Sequence, residues 1–211
     1  MIRLHGYWRS TAAWRVRLAL AAKGLAYEPV AVNLLHGDQR SAGHLALNGQ
    51  GLVPVLEHDG LVLTQSLAII EYLDERFPDP PLLPADAAGR ARARAAALIV
   101  AAEVHPLGNL RVQRWLKGEM GQDDAAVTRW LHQWMGDGLA AVENMAAQYG
   151  GRCVIGDRIS VADLALVPQL YNARRFGLSL DRFPRLLACE STVLAETWAS
   201  LADPEFQIDK P

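Results

Sequence analysis

Hydrophobic and polar positions follow two different periods over the first 80 residues. Short apolar runs predict strands, and apolar positions spaced three and four apart predict helices. Asp59-Gly60, at the centre of the run VPVLEHDGLVL, predicts a hairpin turn, and Pro29 indicates that its strand lies at an edge of the sheet. The predicted order is strand, helix, strand, hairpin and helix, over residues 2–7, 13–23, 27–33, 53–63 and 65–76. This order is typical of a small α/β unit in which the first two strands are parallel and the hairpin is antiparallel.

The pattern changes after residue 77. The segment FPDPPLLPAD has four prolines in ten residues and predicts a linker. Alanine, leucine and arginine dominate the rest, which predicts helices over residues 87–103, 127–148 and 161–175 and shows no convincing strand. Ser160 and Asp163 have the spacing of a capping box at the start of the last of these helices. We expect an α/β domain with a mixed sheet over residues 1–80 and an all-helical domain over residues 86–211.

Charge and composition narrow the possible functions. The chain has 211 residues, 21 basic and 23 acidic, and a net charge of −2, which gives no electrostatic reason to expect nucleic acid as a partner. No apolar run reaches membrane-spanning length, and the first residues lack the apolar core of a signal peptide. Cys153 and Cys189 form neither a paired motif nor a metal-ligand spacing, so we expect no metal site and a reducing, cytoplasmic location.

The stretch WRSTAAWRVRLAL places hydroxyl groups where the first helix begins. Ser10 or Thr11 is suited to cap that helix, and capping alone is a sufficient explanation for both. The same position also suits chemistry, because a helix N-terminus carries unpaired N–H groups and partial positive charge. A hydroxyl there is able to donate to an anion such as a thiolate, and Arg9 precedes the same helix.

Two further segments of the α/β unit carry candidate ligand-binding groups. Pro54 opens the strand of GLVPVL, and a cis Val53-Pro54 bond would leave neighbouring backbone groups available to a ligand's main chain. Gln65 and Ser66 begin a second helix in LTQSLAIIEYL, where capping is again the simpler explanation and carboxylate binding the functional one.

The helical half contains the run EVHPLGNLRVQRWL. Pro106 predicts a kink or a late helix start, and His105 and Asn109 are four residues apart, so they share a face of a regular helix. A buried, hydrogen-bonded histidine and a solvated Arg111 are the structural alternative.

Taken together, these segments resemble the glutathione transferases, and WRVRLALAAKG is most similar to the zeta class, which includes maleylacetoacetate and maleylpyruvate isomerases. The resemblance extends from about residue 2 to about residue 185 through RSTAAWRVRLAL, LVPVL, QSLAIIEYL and GDRISVADLALVPQLYNARRF. It implies a thioredoxin-like first domain that binds glutathione, a helical second domain that forms the substrate pocket, and a homodimer. The implied reaction is glutathione-dependent cis–trans isomerisation of a maleyl diketo acid, a dicarboxylate. A general glutathione transferase, a haloacid dehalogenase and a non-catalytic glutathione-binding protein are the alternatives.

The resemblance also assigns expected roles to individual residues. Ser10 would contact the glutathione thiolate, Val53 would pair its backbone with the glutathione cysteine beside a cis Pro54, and Gln65 and Ser66 would hold the γ-glutamyl end. The other implied glutathione contacts are Thr11, Gln50, His105 and Asn109, and the implied substrate ligands are Arg9, Arg111 and Arg175. Ala12 departs from the zeta pattern, which commonly has cysteine there, so the glutathione sulfur is the expected nucleophile.

Overall fold

A four-stranded mixed sheet forms the centre of the first half of the protein, whose computed structural model describes residues 1–211. The strands lie in the spatial order β2-β1-β3-β4 and comprise Ile2–Gly6 (β1), Glu28–Ala31 (β2), Val55–His58 (β3) and Leu61–Thr64 (β4). β1 and β2 are parallel, and β3 is antiparallel to both β1 and β4. These pairings confirm the predicted topology. Pro29 lies in the edge strand β2, where a missing N–H is tolerated.

Three helices accompany the sheet: Thr11–Ala22 (α1), Ala42–Leu47 (α2) and Ser66–Arg76 (α3). Every residue in the first ten positions of α1 is buried, so this helix belongs to the core. The sequence pattern does not predict α2, because its six residues make fewer than two turns and only His44 is buried. Asp59 and Gly60 adopt φ angles of 49° and 82°, as a tight hairpin turn requires, which confirms the predicted hairpin.

The second half of the chain is helical, as predicted. Its α-helices comprise Ala87–Leu98 (α4), Leu110–Gly118 (α5), Asp124–Tyr149 (α6), Val161–Arg175 (α7), Pro184–Leu194 (α8) and Ala199–Ala202 (α9). The capping box is present at the start of α7, where the Asp163 carboxylate accepts hydrogen bonds from the backbone N–H groups of Val154 and Ser160 at 2.8 and 2.9 Å. Complete burial nevertheless raises the pKa of Asp163 to about 6, because removal from water disfavours the charged form.

The helix expected over residues 87–103 is not regular along its whole length. The α-helical hydrogen bonding stops at Leu98, and Ile99–Val104 form a π-helical segment. This segment packs closely against α6 at Gly138, where an added Cβ would lie 2.0 Å from Cγ2 of Val104. The missing side chain of Gly138 therefore makes room for the widened turn, a local feature that helical periodicity does not reveal.

The C-terminal segment corrects the predicted domain division. One compact unit, the first unit, comprises Met1–Leu82 together with Leu194–Pro211, and the second unit comprises Leu83–Val193. Residues after 193 therefore belong with the sheet and not with the helical domain expected over residues 86–211. The physical reason is a set of hydrogen bonds: Arg17 Nε donates to the carbonyl of Ala202 at 3.0 Å, and the Trp8 N–H donates to the Asp209 carboxylate at 2.8 Å. None of the helices combines the length and apolar composition needed to cross a membrane.

Candidate active site

The strand register brings three predicted segments to one end of the sheet. His5 near the end of β1 lies opposite Val55 at the start of β3, and Val55 lies opposite Thr64 at the end of β4. The segments that carry Ser10, Val53-Pro54 and Gln65-Ser66 adjoin these positions along the chain. The antiparallel pairing thus explains why residues 40 or more positions apart belong to one candidate site.

Ser10 is the N-cap of α1, as one of the two sequence interpretations predicted. Its backbone is extended, and its Oγ accepts a hydrogen bond from the N–H of Ala13 at 3.2 Å. Because Oγ accepts here, its hydroxyl hydrogen is left to donate elsewhere. Ser10 is half-buried, and the first turn of α1 contains no acidic residue that would neutralise the helix end. Capping and donation to an anion are therefore compatible roles for one side chain.

The peptide bond between Val53 and Pro54 is cis, as the resemblance implied. Val53 is half-buried, and its N–H and C=O take part in no backbone hydrogen bond of the sheet or its turns. The preceding loop is fixed by the carbonyl of Leu52, which accepts hydrogen bonds from Asn48 Nδ2 at 3.0 Å and from His44 Nε2 at 2.9 Å. A well-held loop therefore presents a backbone donor and acceptor at Val53.

The N-terminus of α3 carries two polar side chains, those of Gln65 and Ser66. Gln65 has a φ of 68° and an exposed side chain that makes no cap; its Nε2 donates to Oε1 of Gln50 at 2.8 Å. Ser66, the first residue of α3, is buried, and its Oγ accepts a hydrogen bond from Nη1 of Arg15 at 3.2 Å. The first turn of α3 contains no acidic residue, so no carboxylate of that turn neutralises its N–H groups and partial positive charge.

Two other candidates in the first unit differ in accessibility. Arg9 is half-buried, and its guanidinium lies over the indole ring of Trp8, 4.9 Å from the ring centre. Thr11 is only 5% exposed, so the structure favours Ser10 over Thr11 for contact with a ligand.

In the second unit, the helix is interrupted between the two residues expected to share a face. His105 follows the π-helical segment, and Asn109 has an extended backbone before α5 begins at Leu110. The expectation from their spacing that His105 and Asn109 share a helix face is therefore wrong, and the kink or late helix start that Pro106 predicted is confirmed. Oδ1 of Asn109 caps α5 by accepting the N–H of Arg111 at 3.0 Å, while the Arg111 side chain is exposed.

The two arginines at the end of α7 have different surroundings. Arg174 forms an ion pair with the buried carboxylate of Glu190, with one hydrogen bond of 2.7 Å, and this pairing raises the arginine pKa. Arg175 is exposed, and its guanidinium lies 4.8 Å from the ring centre of Phe176. Both arginines are exposed, and Arg174 already binds a carboxylate, that of Glu190.

Sequence reasoning did not assign a role to Arg15, although the structure places it against the candidate site. The side chain is 1% exposed, and burial lowers its pKa to about 10, so the guanidinium stays charged at neutral pH. The only signal in the sequence is an arginine pair inside an otherwise apolar helix, which does not show which arginine faces a ligand.

Comparison with known proteins finds relatives and solved structures in the family that the sequence resembles. Residues 4–81 match the family model described as glutathione S-transferase, N-terminal domain. The chain is 46% identical to maleylacetoacetate isomerase of Pseudomonas aeruginosa, over 100% of this chain and 99% of that protein. A holo structure of maleylpyruvate isomerase, described as a bacterial glutathione S-transferase of the zeta class, superposes with a TM-score of 0.96 at 40% identity, covering 99% of this chain and 100% of that one.

A second set of solved structures comes from Anaeromyxobacter dehalogenans 2CP-1. Its maleylacetoacetate isomerase with bound glutathione superposes with a TM-score of 0.90 at 46% identity, over 100% of this chain and 98% of that one. Another structure of that enzyme contains dicarboxyethyl glutathione and citrate in the active site. Full-length similarity at this level, on the fold and motifs described above, shows that the chain belongs to the zeta class of the glutathione transferase family.

Proposed function

We propose that this protein is a glutathione-dependent cis–trans isomerase that converts maleylacetoacetate to fumarylacetoacetate, or maleylpyruvate to fumarylpyruvate. The observation that carries the proposal is Ser10 at the N-terminus of α1, at the same end of the sheet as Val53 and Ser66. Relatives named for both reactions support it. The same family resemblance leads us to propose a cytoplasmic homodimer, whose mass light scattering would measure.

The groups at the end of the sheet fit glutathione. Val53 offers a backbone N–H and C=O that suit the main chain of a peptide, and Gln65 and Ser66 offer polar groups beside an unneutralised helix end that suits a carboxylate. We assign these three residues to glutathione, with Gln50 and Thr11 as neighbours in the first unit and His105 and Asn109 as candidates in the second.

When bound, glutathione supplies a thiolate that adds to the substrate double bond, permits rotation about the resulting single bond and then leaves. Ser10 donates its hydroxyl hydrogen to that sulfur, and the N-terminus of α1 adds partial positive charge, so together they lower the thiol pKa below about 8.5. The chain's own thiols are unsuited to this role, because burial raises the pKa of both Cys153 and Cys189 to about 12.

Arginine side chains are the proposed ligands for the two substrate carboxylates. Guanidinium groups bind carboxylates through paired hydrogen bonds, and Arg9, Arg111 and Arg175 are the candidates. The carboxylate-rich ligands in the related structure, dicarboxyethyl glutathione and citrate, support a substrate of this class.

The decisive experiment is a spectroscopic isomerisation assay with each maleyl diketo acid, with and without glutathione. Glutathione-dependent conversion of one acid would support the proposal and identify the substrate. Glutathione binding measured by calorimetry without conversion of either acid would contradict it. Those same data would favour a transferase, a haloacid dehalogenase or a non-catalytic binding protein, which conjugation and halide-release assays separate.

Ser10→Ala tests the role of the hydroxyl in the same assay. We expect kcat to fall by about 100-fold, because the variant removes a donor to the developing charge. Asp123→Ala is the control for the loss of a helix cap alone, because Asp123 caps α6 by accepting a hydrogen bond from the N–H of Ala126 at 2.7 Å. Unchanged turnover in Ser10→Ala, or an equal loss in both variants, would contradict the proposed role of Ser10.

A further inference from the structure

Arg15 is a buried cation whose hydrogen-bonding capacity is only partly used. Its Nη1 donates to Oγ of Ser66 at 3.2 Å, whereas Nε and Nη2 are buried without a hydrogen-bond partner in the protein. A buried donor without a partner is costly, and a buried charge more so. The chain therefore maintains an unfavourable arrangement at the first residue of α3.

No acidic side chain compensates this charge. Burial is the sole cause of the lowered pKa of Arg15, with no opposing attraction from a carboxylate, and its side-chain hydrogen bond is to the neutral hydroxyl of Ser66. The N-terminal end of α3 adds partial positive charge of the same sign, since its first turn has no acidic residue. The surroundings of Ser66 are thus electrostatically complementary to an anion.

The hydrogen bond between Arg15 and Ser66 also fixes the polarity of the serine hydroxyl. A guanidinium has no acceptor, so Arg15 is the donor and Oγ the acceptor. The hydroxyl hydrogen of Ser66 is then directed to another acceptor, and the positive charge behind it makes this hydrogen a stronger donor.

Arg17, two positions further along α1, provides an internal comparison. It is also buried with a pKa of about 10, but its Nε and Nη2 donate to the carbonyls of Ala202 and Trp8 at 3.0 and 2.8 Å. The charges of Asp203 and Asp209 also favour its charged form. Arg17 thus has the partners of a structural arginine, and Arg15 lacks them.

We propose that Arg15 is a positioning residue for the carboxylate site at the N-terminus of α3. It orients Ser66 and supplies the buried positive charge that binds the α-carboxylate of the glutathione γ-glutamyl group. This inference rests on the proposed function, because it names the ligand as glutathione, and it assigns to α1 a role in binding as well as in packing.

The test is calorimetric binding of two ligands: glutathione, and γ-aminobutyryl-cysteinyl-glycine, which lacks only the γ-glutamyl α-carboxylate. The wild type is expected to bind glutathione the more tightly. Arg15→Met should weaken glutathione binding by roughly 10- to 100-fold and leave binding of the analogue nearly unchanged. Arg15→Lys should retain part of the preference, because it keeps the charge without the fork of donors.

Two comparisons separate positioning from a general structural role. The double variant with Ser66→Ala and Arg15→Met should lose less glutathione affinity than the product of the fold-losses in the two single variants. The reason is that Arg15 acts partly through Ser66. Arg17→Met should change the melting temperature without changing the ratio of the two ligand affinities. If Arg15→Met does not fold, the ratio of glutathione affinity to analogue affinity is compared between Arg15→Lys and the wild type instead.

The outcomes distinguish this inference from the proposed function. Equal losses for both ligands, or no change of the ratio in any folded Arg15 variant, would overturn the role of Arg15 alone. A wild type that binds both ligands equally would overturn the carboxylate site. A wild type that binds no glutathione would overturn the proposed function as well.

Discussion

Substitution of Gly138 by alanine is expected to disturb the π-helical segment Ile99–Val104. An added Cβ at Gly138 would lie 2.0 Å from Cγ2 of Val104 and 3.7 Å from Cγ2 of Ile99. Val104 is β-branched and 2% exposed, so it has little freedom to rotate away. The added methyl group must therefore push the segment away from α6.

The expected size of the effect follows from two opposing contributions. Alanine favours a helix interior over glycine by about 1 kcal/mol, whereas overpacking a core costs about 1–3 kcal/mol. Gly136 lies two positions earlier in α6 and meets only the far end of the Arg182 side chain, at 2.4 Å from Nη2. Gly138→Ala should therefore be roughly 1–3 kcal/mol less stable than Gly136→Ala, which shares the helix gain and meets a flexible side chain.

Urea unfolding of the wild type and both variants measures this difference. In a Val104→Ala background, Gly138→Ala should show the helix gain of alanine over glycine, because the clashing Val104 methyl group is absent. The effects of Gly138→Ala and Val104→Ala on the free energy of unfolding should therefore be strongly non-additive. Because His105 directly follows this segment, its ring resonances should shift in Gly138→Ala but not in Gly136→Ala. Equal stability of the two glycine variants would refute the packing argument.

Three further substitutions test other contacts. Lys23→Met should lower the free energy of unfolding, measured in urea, by about 2–4 kcal/mol, because the buried ammonium donates to one carboxylate and two carbonyl oxygens. Lys117→Met removes an exposed ion pair and is the control. Equal losses of stability in the two variants would contradict this reasoning. Asp209→Ala should raise the rate of hydrogen–deuterium exchange at the Trp8 amide about 10-fold, because it removes the acceptor of that N–H. Asp209→Asn keeps an acceptor and should exchange more slowly than Asp209→Ala. The same exchange rate in both variants and the wild type would show that this hydrogen bond does not protect the Trp8 amide. Burial raises the pKa of Asp163 from 3.8 to about 6, so the folded state binds the carboxyl proton of Asp163 more tightly than the unfolded state does. The contribution of Asp163 to the stability of the fold therefore falls by roughly 3 kcal/mol as the pH rises from 3.8 to about 6. The stability of the wild type relative to Asp163→Asn should therefore fall between pH 4 and 6, and a constant difference would contradict the raised pKa.

Local patterns in the sequence predict most of the fold because each carries its own physical cause. Ser10 and the Ser160–Asp163 capping box mark helix starts through hydrogen bonds to nearby N–H groups, and both are present. Asp59-Gly60 marks the hairpin through its positive φ angles, and Pro29 marks an edge strand through its missing N–H. In each case the cause lies within a few residues of the pattern.

The features that the sequence does not reveal depend on distant residues. The π-helical segment depends on the close approach of Gly138, more than 30 positions away, and the return of the C-terminal segment depends on Arg17 and Trp8. The contrast between Arg15 and Arg17 is of the same kind, because helical spacing gives their directions but not their partners. For the candidate site, the sequence predicts candidate residues but not Arg15, and the strand register shows why three of the segments lie at one end of the sheet.

The most direct test of the central claim is whether glutathione is used as a catalyst. Proton NMR would follow a maleyl diketo acid, in large excess over glutathione, in the presence of the purified protein. The isomerase account predicts complete conversion to the trans acid while the glutathione signals keep their intensity. Conversion that stops after one equivalent of glutathione, with a conjugate accumulating in its place, would show a transferase and contradict the account.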